Sequence, residues 1–155
     1  MAHADTPPAE RTPAVPTARR ILCVCYGLIA LAALIATWSQ NVAYLDEGLR
    51  FLPAFIDDAR VTPGARSMGA DVLMLGLAAI VLMVVEARRV GVKYVWLYVV
   101  GALVTAISVT FPLFLIAREL RMSAADAPRL RATDSILLAV VAVVALAWTI
   151  YIDLG

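Results

Sequence analysis

Histidine is almost missing from this sequence: His3 is the only one, and it stands in a Pro-, Ala- and Thr-rich stretch at the start. That excludes His-ligated metal chemistry and a Ser-His-Asp triad. Cysteine is nearly as scarce. Cys23 and Cys25 sit two apart in an apolar run, where helical geometry points them in nearly opposite directions and forbids a mutual disulfide. A Cys-x-Cys metal site would need two further ligands, so both read as small apolar filler. There is no HExxH and no Gly-rich phosphate loop, and no cofactor is expected. An excess of charge of one sign is missing too: the formal net charge is +1, without the diffuse basic field of a nucleic-acid partner.

What is present is apolar. Hydrophobic residues make up 63% of the chain and charged ones 16%, a balance that a soluble domain of this size could not cover. A bilayer accepts such side chains provided that every backbone N–H and C=O is bonded internally, which helices achieve segment by segment. The expected fold is therefore all-α: a polytopic transmembrane bundle of about four antiparallel, up-and-down helices. Every cation but Lys93 is an arginine; with the many Ala and Val residues, this usage points to a GC-rich bacterial genome and the cytoplasmic membrane.

The chain divides by composition. Residues 1–18 hold four prolines and read as a disordered tail. A membrane domain at 19–121 follows. Its first span runs from Ile21 to about Trp38, roughly 27 Å of rise and close to a hydrocarbon core. Arg19 and Arg20 anchor its start, and Gly27, Ala32, Ala33 and Ala36 permit close helix contact. The interfacial loop at 41–66 places Leu45, Leu49, Leu52 and Phe55 at near-helical spacing, fitting either an amphipathic interfacial helix or a lid over the bundle.

The second span, Ser67 to Glu86, has a strictly apolar run of only about 14 residues, or roughly 21 Å. Either the membrane thins locally, or Asp71, Glu86 or both stand at the margin of the hydrocarbon, where an ionisable side chain needs a partner. After a tight connection, Tyr94, Trp96 and Tyr98 lead into a third span ending near Ala117. Pro112 predicts a kink there, with Thr110 or Ser108 serving the freed carbonyl. A polar connection at 122–134 leads to a fourth span, 135–155. An N-terminus in the cytoplasm leaves about six Lys/Arg on that side and about seven on the other, so the charge rule does not decide orientation. Placing both termini inside lets Arg19 and Arg20 share a face with Arg88, Arg89 and Lys93.

Up-and-down threading gathers Trp38, Gln40, Asn41, Arg66, Ser67, Asp71, Arg118 and Glu119 on one face, and Glu86, Arg88 and Arg89 on the other. Two carboxylates with two guanidinium partners at a low-dielectric boundary should pair. Two readings follow: a structural network pinning helix ends, or a pocket in which desolvated Asp71 or Glu119 exchanges protons.

The strings Thr37-Trp38-Ser39-Gln40-Asn41, Pro63-Gly64-Ala65-Arg66-Ser67 leading to Asp71, Val85-Glu86-Ala87-Arg88-Arg89, and the run from Ala106 through Thr110-Phe111-Pro112 to Arg118-Glu119 occur in that order. Over about residues 20–121 they resemble the small bacterial membrane proteins grouped as domain of unknown function 2834. The resemblance implies three spans and a polar-motif face, and it brings no established activity.

Two functions are expected. One is a structural, lipid-binding or partner-binding membrane component, its partners being membrane lipids, another membrane protein or a second copy. The alternative is a membrane-embedded enzyme acting on an isoprenoid or other lipid by carboxylate acid/base chemistry, in the manner of terpene cyclases. Whether the chain is an enzyme is left open by its sequence. Ion conduction fits less well, because the middles of the spans carry no ionisable residue.

Overall fold

Long apolar runs have formed helices, and in this computed structural model residues 17–123 and 131–154 are described. The proline-rich tail and most of the polar connection, with the disorder expected of the tail, lie outside the described residues. Among the described residues there is no strand. The elements are α1 (Thr17–Asn41), a 3-10 segment (Val42–Arg50), α2 (Phe51–Asp58), α3 (Pro63–Val90), α4 (Val95–Val104), α5 (Ile107–Arg121) and α6 (Ala132–Leu154). Three helical stretches are long and apolar enough to cross a membrane, and α4 is a shorter apolar helix. This is the all-α bundle of about four helices that the composition implies.

α3 is longer than its apolar core. Thr62 caps its start, the hydroxyl accepting from the Ala65 N–H at 3.0 Å, with Pro63 in the first turn. Gly91, at φ 74°, closes it in the left-handed conformation that glycine adopts without strain. Twenty-eight residues rise about 42 Å, so α3 crosses a ~30 Å core with its charged ends outside.

The third apolar segment departs from a straight crossing. The chain breaks at Thr105–Ala106, where Ala106 takes φ 152° and ψ 155°, a conformation that residues other than glycine rarely adopt. α5 then returns along α4 in constant antiparallel register. Gly91 accepts from Arg121 Nη1 at 3.0 Å, Tyr98 meets Phe114 edge to face at 5.8 Å, and a side chain at Gly101 would stand 3.3 Å from Thr110 Cγ2. Pro112 lies inside the continuous α5, so the interruption falls before it and not at the expected kink. The Thr110 hydroxyl donates to the Ala106 carbonyl and the Thr105 hydroxyl to the Gly101 carbonyl. Both act on backbone acceptors beside the break, which membrane depth requires.

The hairpin tip reaches the middle of the bundle. Ile107 lies 3.8 Å from where a Cβ on Gly76 would stand. Gly76 is ten residues from Glu86, or about 15 Å along α3, half of a ~30 Å core. The segment therefore enters and leaves on one face. α5 lies between α1 and α3, antiparallel to α1, with Arg19 against Met122 and Gly27 against Ile116. A cluster of buried apolar residues, Met83, Ala87, Val95 and Phe114, lies in the half of the molecule that holds the hairpin.

α6 runs parallel to α1, because Gln40 Nε2 donates to Asp153 Oδ1 at 3.4 Å. The start of α1 and the end of α6 therefore lie at opposite ends of the bundle, not on the one side expected for both termini. The 3-10 segment and α2 fold onto each other. Tyr44 packs against Phe51 and Phe55 and donates to Asp58 at 2.8 Å. Of the long helices only α1 is touched, by the 3-10 segment, while α2 packs on the 3-10 segment alone, so they do not cover the bundle as a lid.

Candidate functional site

Charged residues gather where α1 begins and where α3 and α5 end. Glu86, in the last turns of α3, is 9% exposed. Its Oε1 accepts from Arg89 Nη2 at 2.6 Å, one helical turn on, and from Arg118 Nε at 2.6 Å. Arg118 turns its other end to its neighbour, Nη1 donating to Glu119 Oε1 at 2.9 Å. Glu119 is 1% exposed, and its Oε2 lies 3.7 Å from Arg19 Nε. Arg19, 5% exposed, donates through Nη1 to the Met122 carbonyl at 2.8 Å and through Nη2 to the Ser123 carbonyl at 2.6 Å.

These contacts form one alternating chain, Arg19, Glu119, Arg118, Glu86, Arg89. It ties α1, α3 and α5 together at the mouth of the hairpin. Each carboxylate has guanidinium neighbours on two sides, the arrangement that makes buried charge tolerable. Arg19 also binds the two carbonyls that follow α5, Met122 and Ser123, close to the helix end where the dipole favours a cation.

The pairing differs from the one drawn from the sequence. Arg118 and Glu119 do not join Arg66 and Asp71; they join Glu86 and Arg89. The physical reason is the break at Thr105–Ala106, which returns α5 to the face where α4 began. Asp71 lies fifteen residues before Glu86, or about 22 Å along α3, and is exposed. Arg66 donates to the Arg60 carbonyl at 2.7 Å, and Ser67 is exposed. Gln40 reaches Asp153. Asn41 makes no side-chain cap at the helix junction, and Trp38 Nε1 is buried without a hydrogen-bond partner among the described residues. Arg88 is exposed beside the chain of ion pairs, not in it.

Sequence reasoning treated Arg19 as a mere anchor and did not single out Arg121. The missed signal lies in the third apolar segment. Gly101, Thr105, Ser108, Thr110 and Pro112 interrupt its middle with small and hydroxylated residues, the types that support broken backbone at membrane depth. As for metals, no group of three or more His, Cys, Asp or Glu side chains stands together among the described residues.

Set beside known proteins, residues 25–120 match the model of a family described as Protein of unknown function DUF2834. The match takes in Glu86, Arg118 and Glu119 and leaves out Arg19 and α6. No curated protein and no solved structure matches the chain.

Proposed function

The chain belongs to the DUF2834 family, and from that premise we propose that it is a multi-pass membrane component that binds lipid or a partner protein and does no chemistry. One observation carries this reading: the two carboxylates at the hairpin mouth, Glu86 and Glu119, are held by arginines. Their role is to fix a hairpin that stops halfway through the bundle. The membrane is proposed to be the bacterial cytoplasmic one.

Orientation follows from the threading. With the hairpin entering and leaving on one face, Arg50, Arg60 and Arg66 are the only described cations on the other face. Arg19, Arg20, Arg88, Arg89, Lys93, Arg118, Arg121 and Arg131 all stand on the hairpin side. The cation-rich face of a membrane protein faces the cytoplasm, which puts the start of α1 inside and the end of α6 outside.

A second reading, an enzyme acting on an isoprenoid or other lipid, has one observation in its favour: Glu119 Oε2 is buried without a hydrogen-bond partner among the described residues. Of the two carboxylates considered for it, Asp71 is exposed and lies toward the opposite face. Native mass spectrometry of the protein in mild detergent tests the first reading, which expects retained phospholipid or a bound membrane protein. A chain that emerges bare contradicts it.

A further inference from the structure

We propose that the turn between α3 and α4 is a binding site for the phosphate headgroup of an anionic phospholipid. The inference rests on the membrane reading above and adds a ligand and a place. A cleft of about 510 Å³ is lined there by Arg88, Gly91, Lys93, Tyr94 and Trp96, within the ~300–1,000 Å³ of small-molecule clefts.

The cations of this face differ in their partners. Arg19, Arg89 and Arg118 are ion-paired, sharing the two carboxylates Glu86 and Glu119. Arg88 and Lys93, which line the cleft, have no ion pair or side-chain hydrogen bond among the described residues. A cleft with two uncompensated positive charges and no carboxylate in its wall favours an anion.

The surroundings favour a lipid over a free phosphate. Tyr94 and Trp96 are exposed at the rim of the cleft, where amphipathic rings mark the headgroup level. Directly beyond, Leu97, Val100, Leu103 and Val104 of α4 are exposed at spacings of three and four, one continuous apolar strip. A headgroup in the cleft thus has a surface for its acyl chains. Basic pockets at the cytoplasmic ends of membrane helices hold anionic headgroups on the same physical grounds.

The test is native mass spectrometry of the full chain, titrated with phosphatidylglycerol or phosphatidylcholine. The variants are R88Q/K93Q and, as a control on the other face, R60Q/R66Q. The expected result is at least tenfold preference of the wild type for phosphatidylglycerol, kept by R60Q/R66Q and lost by R88Q/K93Q, with free glycerol phosphate failing to compete at equal concentration. Competition by glycerol phosphate at equal concentration would overturn the lipid assignment in favour of a soluble phosphate. Equal phosphatidylglycerol binding by R88Q/K93Q would overturn the site while leaving lipid binding intact, whereas no retained lipid or protein in any sample would remove the underlying reading as well. Unchanged thermal unfolding of R88Q/K93Q in detergent separates loss of the site from loss of the fold.

Discussion

Glu119 is the residue on which the ion-pair chain turns. It is buried, charged and held by an arginine on each side, so removing its charge leaves two guanidinium groups short of a partner. Breaking a buried pair by deleting one member costs about 3–5 kcal/mol. Glu119→Gln, which keeps the shape, is expected to lower stability by about 3 kcal/mol, read as a lower unfolding midpoint in detergent. Asp71→Asn, at an exposed position, is expected to stay within about 0.5 kcal/mol. Residue types were legible from the sequence: Glu86, Arg118 and Glu119 stood out as ionisable groups at hydrocarbon margins. Their pairing was not, because it depends on which way α5 runs. Arg19 escaped notice because an arginine at a helix start usually snorkels to the surface, whereas here it is buried against the Met122 and Ser123 carbonyls just beyond α5.

At the level of elements, length and hydropathy located α1, α3 and α6, whose apolar runs are long enough to identify without neighbours. The third segment was ambiguous for a physical reason. The residues of α4 and α5 together would suffice for a crossing, and only the contacts between the two halves show that they fold back. Gly101 is central to that fold-back. A Cβ there would meet Thr110 Cγ2 at 3.3 Å, so a large side chain must push the two helices apart. Gly101→Leu is expected to cost about 1–3 kcal/mol, the usual penalty for overpacking. Gly69→Leu on α3, where a Cβ meets nothing within 4 Å, is expected to be neutral or slightly stabilising, since glycine weakens a helix interior. Unfolding of both variants in the same detergent makes the comparison direct.

The molecule as a whole is organised by a difference between its two faces. One carries the ion-pair chain, the hairpin mouth and most of the cations; the other carries the self-packed 3-10 segment and α2, with Leu45, Leu49, Leu52 and Ile56 exposed. Four straight crossings divide the cations almost evenly, which is why orientation was not legible in the sequence. Three crossings and a half-depth hairpin divide them unequally. Single-cysteine variants at Lys93 and Ser123, with Cys23 and Cys25 replaced by alanine, decide between these threadings when labelled by a membrane-impermeant maleimide from each side of sealed vesicles. The expected result is that both positions label from the same side and a cysteine at Asp58 from the other. Labelling of positions 93 and 123 from opposite sides would contradict the hairpin, and with it the ion-pair chain that the hairpin brings together.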